Sequence, residues 1–341
     1  MNYKGILFFL GIYTLLVALL SIINIFYSIY FDFIIGLNSY LITFALSFFV
    51  GFLFFFIGRN HSKDIVLTDQ IIFILLSFLL IPVLISIPYV LSIYDINFLN
   101  AYFESVSGFT TTGFSIIYNI SDIDEPLLLW RSSSQWLGGL LFLLVTIGTI
   151  GSKQIRIKPA YLVSGGASGL NFYNNFNSNF IKILFIYFST TIFIIFLYSL
   201  MDLRLLDSVN LSFTTISSGG FIPNDNLSNI LKKDIQIFVF ALTLLFPIFN
   251  FFLLYDVITR KFLFKNYYED LHLFLLIVSL ILFFYFLVIP DEGFANVLFA
   301  MTSSISTSGI STYSSDLDLS LFFILLAIIG GSLISTSSGF K

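Results

Sequence analysis

The chain has 341 residues, 58% of them hydrophobic and only 10% charged, with a mean hydropathy of +1.00 and a formal net charge of −4. Soluble domains carry about 25% charged residues, so the composition implies a polytopic membrane protein and excludes a water-soluble one. With no cysteine and only His61 and His272, disulfides, thiolate metal sites and imidazole clusters are excluded.

A membrane-spanning helix needs about 20 apolar residues. Gly5–Tyr30 is the first such run. It is too long for a signal-peptide core and lacks a small-residue cleavage site, so it reads as an uncleaved span. Tyr40–Ile57 is the second, followed by the polar break Arg59–Asp64. Asp69–Tyr94 is the third, expected to be kinked at Pro82 and Pro88. A short, weakly polar segment follows, FESVSGFTTTGF at Phe103–Phe114, and then an acidic loop with Asp122, Asp124 and Glu125. Pro126 can open the next helix, where its missing N–H costs nothing, and Leu127–Gly151 spans back. Lys153, Arg156 and Lys158 precede a Gly/Asn-rich loop from Ser164 to Asn179. Its Gly165–Gly169 run has neither the strand–turn–helix setting nor the lysine of a phosphate-binding loop.

The cycle then recurs. Phe180–Met201 spans, NLSFTTISSGGF occupies Asn210–Phe221, and Ile235–Thr259 returns with Pro247 as an expected kink. After Arg260, Lys261 and Lys265, Leu271–Ile289 spans, FAMTSSISTSGI occupies Phe299–Ile310, and the chain returns from Leu319 onward. The three polar segments align on Gly113, Gly220 and Gly309, and each enters its glycine through small residues: Thr111-Thr112, Ser218-Gly219, Thr307-Ser308. An internal repeat of this kind governs the fold. The expected organisation is a two-span region at 1–68, then span–half-helix–turn–span units at 69–158, 159–265 and 266–341.

Basic residues concentrate on the cytoplasmic side of membrane proteins. With the amino terminus inside, eleven of the fifteen Lys and Arg fall inside and only Arg131, Arg204, Lys232 and Lys233 fall outside. The outer face then collects Asp122, Asp124, Glu125, Asp202, Asp207, Asp225, Asp291, Glu292, Asp316 and Asp318, and all three repeats open toward it.

A helix capped by Asn97 and running to about Ser107 reaches roughly 15 Å at 1.5 Å per residue, about half the hydrocarbon thickness. It must enter, stop and turn back, which is tolerated only where the backbone is buried in protein or lines water. The partially negative carboxyl end of such a helix favours a cation. Glycine permits the positive-φ conformations that turn successive carbonyls toward one axis, and rings of carbonyls can replace the hydration shell of potassium. Small-residue patches that only pack helices together are the plain alternative, and threefold recurrence counts against it.

The segments FESVSGFTTTGFS and WRSSSQWLGGLLFLLVTIG (Trp130–Gly148), with SSGGFIPND at Ser217–Asp225, resemble the pore units of the Trk/Ktr/HKT superfamily of potassium transporters. GGSLISTSSGFK at Gly330–Lys341 is similar to that family's third inner-helix motif. The two extra amino-terminal spans resemble the TrkH branch. The resemblance implies an all-α fold of span–pore helix–span units around a pseudo-fourfold pore and potassium as the transported ion, with no covalent cofactor. It implies an inner (plasma) membrane location, a homodimer in lipid and a cytoplasmic nucleotide-binding regulator of the TrkA type, with no nucleic acid. It places filter oxygens at Thr111, Thr112, Gly113, Ser218, Gly219, Gly220, Thr307, Ser308 and Gly309. It also places an intramembrane gate loop at Gly330–Gly339, including Gly330, Gly331, Ser335, Thr336, Ser338 and Gly339. Leu333 and Ile334 depart from the small residues usual there. No fourth unit precedes Lys341, so the sequence reads as truncated before it, and a three-sided pore is expected not to conduct alone, since carbonyls facing lipid are costly.

Among the remaining polar residues, Glu104 is a carboxylate at membrane depth, a functional-site hypothesis by default; its other role would be to bond backbone N–H groups behind the filter. Arg131 can pair with Glu104 or Asp124, or snorkel to the interface. Gln135 and Trp136 are expected against the half-helix, Asp256 in solvent, and His272 in a packing or interfacial position. A secondary transporter of another fold would need inverted repeats, whereas these share one orientation. A membrane-embedded enzyme would need a catalytic motif, and no HExxH, GxSxG or suitably spaced carboxylate pair occurs.

Overall fold

The computed structural model describes residues 2–60, 67–92, 94, 96–150, 176–259, 267–288, 293–311 and 320–339. The expectations placed on Lys153, Arg156, Lys158, Gly165–Gly169, Arg260–Lys265, Asp291, Glu292, Asp316 and Asp318 lie outside these residues. Every regular element among the described residues is helical. Two compact units divide the chain, Met1–Gly138 and Gly139–Lys341.

The first unit holds α1 (Tyr3–Tyr30), α2 (Ile34–Gly58), α3 (Leu67–Ile85), α4 (Ile87–Val90), α5 (Phe98–Phe109) and the first half of α6 (Glu125–Ile150). Asn2 caps α1 by accepting the Gly5 N–H at 3.0 Å, satisfying one orphan donor. Its own N–H donates to Asp69 Oδ1 at 3.0 Å, tying the chain start to the first turn of α3. The α1–α2 hairpin packs through small residues. On α2, Ser39, Thr43 and Ser47 form a buried stripe at four-residue spacing that continues in Gly51; on α1, Thr14, Ser21, Asn24 and Ser28 are buried. A Cβ on Gly11 would stand 2.5 Å from the Phe55 backbone nitrogen, and one on Gly51 would stand 2.7 Å from Thr14 Oγ1. Such close approach is how helices associate where no water drives them together. Elsewhere α2 exposes Phe48, Phe49, Phe52 and Phe56, as a lipid-facing surface should.

The two prolines of the third span act differently. Pro82 sits inside α3 without ending it, whereas Pro88 opens the new short helix α4, a first-turn position that suits its missing N–H. Trp130 of α6 donates its indole N–H to the Ile85 carbonyl at 2.9 Å and meets Tyr40 edge-on at 5.9 Å between ring centroids.

The second unit holds the rest of α6, α7 (Phe176–Leu200), α8 (Leu205–Ser217), α9 (Asp234–Thr243), α10 (Phe251–Ile258), α11 (Tyr268–Phe283), α12 (Phe294–Ile305) and α13 (Ser320–Ile329). The expected span Ile235–Thr259 is not one kinked helix but two, α9 and α10, separated by non-helical backbone around Pro247. Proline removes a donor and crowds the preceding turn, and Asn250 restarts the helix by accepting the Phe252 N–H at 2.9 Å. Among the described residues, five helices are long and apolar enough to cross a membrane: Tyr3–Tyr30, Gly36–Gly58, Thr68–Val90, Ile181–Leu200 and Tyr268–Phe286.

Replacing Gly11 with Val should therefore lower stability by about 1–3 kcal/mol through overpacking, while Leu19→Val on the exposed face of α1 should leave it within about 0.5 kcal/mol. Thermal melts in detergent decide this; equal losses in both variants would refute the close-packing account.

Candidate cation pathway

The three repeated segments fold alike. The half-helices α5, α8 and α12 have 12, 13 and 12 residues, roughly 18 Å at 1.5 Å per residue and short of about 30 Å of hydrocarbon. Asn97 caps α5 as expected, accepting the Asn100 N–H at 2.9 Å.

Each half-helix ends on the same pair of backbone bonds. Thr111 N–H donates to the Gly108 carbonyl (3.0 Å) and Thr112 N–H to that of Ser107 (2.9 Å). The counterparts are Ser218 to Thr215 (3.1 Å) and Gly219 to Thr214 (2.9 Å), then Thr307 to Ser304 (3.1 Å) and Ser308 to Ser303 (3.2 Å). The two bonds together make the Schellman motif, which normally places glycine at the left-handed position. Here that position holds Thr111, Ser218 and Thr307, with φ of 56°, 56° and 59°. Left-handed backbone costs a residue with a side chain roughly 1–2 kcal/mol. Two residues on, Gly113, Gly220 and Gly309 are again left-handed (81°, 86° and 64°), while Thr112, Gly219 and Ser308 between them are not. Backbone that alternates in hand turns its peptide planes over at each residue, so that consecutive carbonyls share one side.

A hydroxyl six residues before the glycine closes the turn. Ser107 donates to the Phe114 carbonyl and Ser303 to that of Ile310, both at 2.5 Å; Thr214, in the matching position, is fully buried. Beside them, Thr110 and Thr112 hydroxyls lie 2.7 Å apart, and Ser308 joins Ser303 (3.2 Å) and Ser306 (3.1 Å).

The first copy is braced by charge. Arg131 Nη2 lies 2.9 Å from Glu104 Oε1, and its Nε donates to the same oxygen at 3.0 Å. Both side chains are buried, with 2% and 0% of their surface accessible, so Arg131 takes the Glu104 partner and does not snorkel. Ser115 donates to Glu104 at 3.0 Å and accepts from Arg131 at 3.0 Å, and the Ile116 N–H donates to Glu104 Oε2 at 3.1 Å. The network joins the half-helix, the strand that climbs away from Gly113, and α6. In the first unit, Gly138 of α6 lies against the Phe109 carbonyl at the end of α5, where any Cβ would collide.

In the second unit the brace is made of hydroxyls and backbone. Gly139 receives Ser217, whose Cβ would stand 2.8 Å from a Cβ at that glycine. Tyr198 of α7 meets the Thr243 hydroxyl at 2.5 Å and that of Thr215 at 3.3 Å. The segment Gly330–Gly339 leaves α13 as a folded loop. Its Ser332 and Ser337 N–H groups donate to the Ile248 (2.8 Å) and Pro247 (3.1 Å) carbonyls, and its Ile334 carbonyl accepts the Phe251 N–H at 2.9 Å. The loop thus fills the break between α9 and α10. Thr336 donates to the Ile216 carbonyl at 2.7 Å, and the Ser338 N–H donates to Thr307 Oγ1 at 3.0 Å. One loop therefore touches the end of the second half-helix and the left-handed residue of the third turn. Ser335 closes on the Ser332 carbonyl at 2.6 Å, Gly330 and Gly339 cross with φ of 61° and 111°, and Gly331 packs against the Ile248 carbonyl.

No protein-family model matches the chain. It is 26% identical to an uncharacterised cation transporter of Methanocaldococcus jannaschii, over 99% of this chain and 70% of that one. It is 25% identical to the Trk system potassium uptake protein TrkH of Vibrio parahaemolyticus (88% and 65%) and 26% identical to TrkG of Escherichia coli (90% and 66%). The crystal structure of the TrkH potassium transporter of Vibrio parahaemolyticus superposes with a TM-score of 0.79 at 23% identity, covering 99% of this chain and 72% of that one. The chain is thus similar in sequence to Trk potassium-uptake proteins over most of its length, and in fold to the TrkH structure. It spans about two thirds of the length of the curated Trk relatives it matches.

Ile334, a departure from the small residues expected, is buried, and its carbonyl holds the loop to α10. One expectation is overturned: Asp256 is not solvated but buried, accepting the Tyr267 hydroxyl at 2.7 Å. Facing side chains made that pairing, and spacing along the chain does not reveal it. The Asn250 N–H donates to Asp270 Oδ1 at 3.0 Å, another buried partner that sequence reasoning missed. The hydroxyl six residues before each glycine was visible as an aligned Ser/Thr column. His272 is exposed, with its ring nitrogen 2.6 Å from the Tyr268 carbonyl.

Glu104→Gln should destabilise the protein by about 3–5 kcal/mol, because it strands a buried guanidinium. Glu104→Gln combined with Arg131→Met should recover most of that loss. Denaturation in detergent measures both; a Glu104→Gln variant as stable as the parent would show that the pair does not brace the turn.

Proposed function

We propose that this chain supplies three span–pore helix–span units of a potassium-uptake pathway, with the carbonyls of Thr111–Gly113, Ser218–Gly220 and Thr307–Gly309 as potassium ligands. The observation that carries this reading is the left-handed Thr, Ser and Thr recurring two residues before each left-handed glycine. Strain repeated at one position in three copies belongs to a functional constraint. Packing alone would be satisfied by glycine there. Relatives named as potassium uptake proteins support the same substrate. Transport by such homologues is not enzymatic, and potassium is cargo rather than a cofactor.

On this reading Gly330–Gly339 is a gate below the filter. Its hydrogen bonds to Ile216 and Thr307 would couple loop movement to two filter turns directly. Units bounded at 69–158, 159–265 and 266–341, an amino terminus in the cytoplasm, a homodimer and a TrkA-type nucleotide-binding regulator at the basic inner loops complete the proposal.

The test is rubidium and sodium uptake in cells stripped of their own potassium uptake, expressing the reading frame that contains this sequence. Gly220→Ser should lower the preference for rubidium over sodium at least about tenfold, because it disturbs the carbonyl array. Thr336→Val should alter the rate while sparing selectivity. Unchanged selectivity in Gly220→Ser, with the protein present in the membrane, would overturn the filter assignment.

A further inference from the structure

The break between α9 and α10 leaves the backbone N–H groups at the start of α10 outside any helical ladder, and each is answered from a different place. The Phe252 N–H donates to the Asn250 side chain at 2.9 Å. The Phe251 N–H donates to the Ile334 carbonyl of the Gly330–Gly339 loop at 2.9 Å. The Asn250 N–H donates to Asp270 Oδ1 of α11 at 3.0 Å. The loop is also anchored on the Pro247 and Ile248 carbonyls. Asn250 therefore stands within the stretch 247–251 on which the loop is seated, and a side chain from outside both the break and the loop holds it there.

Asp270 lies in the first turn of α11 and is buried, an expensive place for a carboxyl group unless it is hydrogen-bonded. A second contact joins the same two helices. Asp256 of α10 accepts the hydroxyl of Tyr267, the residue just before α11, at 2.7 Å. Each helix thus sends a carboxyl group to the residue that precedes the other. Asn250 and Asp256 stand about 9 Å apart along α10 at 1.5 Å per residue, so α11 grips α10 near both of its ends. Phe249 of the break also meets Phe274 of α11, at 6.2 Å between ring centroids.

We propose that Asp270 is a positioning residue: by holding the Asn250 N–H it fixes the seat of the Gly330–Gly339 loop. Without that acceptor the buried Asn250 N–H loses its partner, and an unsatisfied buried donor is costly. The start of α10 then shifts to find another, and Phe251, the next residue, carries the bond to Ile334 with it. Asp270 acts on the seat and not on a filter turn, so its loss frees the loop and leaves the filter carbonyls in place. The consequence for transport rests on the reading of this loop as a gate: a looser seat changes the rate of ion passage and spares selectivity.

The chain has no cysteine, so a single introduced thiol reports on one place. Ile334→Cys puts a smaller side chain at a position 1% exposed, and its reaction in membranes with a water-soluble maleimide follows the population of unseated loop. Adding Asp270→Ala should speed that reaction at least about tenfold. Asp270→Leu, which fills the space without an acceptor, should do the same and serves if Asp270→Ala does not reach the membrane. Asp270→Asn keeps an acceptor oxygen and should stay within about threefold of the parent. A thiol from Ile194→Cys, at a fully buried position of α7, should gain no reactivity in any of them. The proposal is overturned if neither Asp270→Ala nor Asp270→Leu speeds labelling, if Asp270→Asn labels as fast as they do, or if Ile194→Cys gains reactivity in step, the sign of general loosening. Rubidium uptake through the reading frame that contains this sequence should change at least about threefold in Asp270→Ala, with the preference over sodium kept. Faster labelling with unchanged uptake would uphold Asp270 as the seat of the loop and overturn the gate reading alone.

Discussion

A helix that stops inside a membrane leaves its last carbonyls without partners, and hydrocarbon offers none. The half-helices α5, α8 and α12, too short to cross the hydrocarbon, end in the same way, by turning the next residue left-handed and bonding two N–H groups backward. The solution costs strain at Thr111, Ser218 and Thr307, and the surrounding structure is arranged to hold that strain. The hydroxyls of Ser107 and Ser303 grip the returning strands, and Gly138 and Gly139 each let α6 come close to a half-helix end within its own unit.

The copies share a turn but not a brace. The first is held by a buried carboxylate–guanidinium pair with every oxygen of Glu104 engaged, a geometry that offsets much of the desolvation cost of burying charge. Positions matching Glu104 in the other copies are Leu211 and Ala300, so no such pair can form there. Tyr198 and the Gly330–Gly339 segment take over in the second unit. An ion pair gives a stiff mount. A loop held by a handful of neutral hydrogen bonds, each worth about 1 kcal/mol net, can exchange them singly. The chemical difference between the braces is also a mechanical one.

Much of this was legible along the chain. Asn97 as a cap, the length of α5, the pairing of Glu104 with Arg131 as one of two options and the family resemblance all follow from local chemistry or from repeated spacing. The break between α9 and α10 was not legible. Pro247 announces a disturbance, but whether it bends a helix or ends one depends on who takes the freed carbonyls, and the takers, Ser332 and Ser337, lie about 85–90 residues away. Asp256 illustrates the same limit: a carboxylate near the end of a span reads as solvated until Tyr267 is found against it.

Composition and the aligned glycines determined, without any coordinates, that this is a helical membrane protein built on a recurring re-entrant turn, because hydropathy and short-range spacing act within one segment at a time. The tertiary structure decided which residues bear the strain, which brace each turn receives and where the Gly330–Gly339 loop docks. Those outcomes depend on side chains and carbonyls brought together from distant segments, and such meetings are settled only when the helices pack.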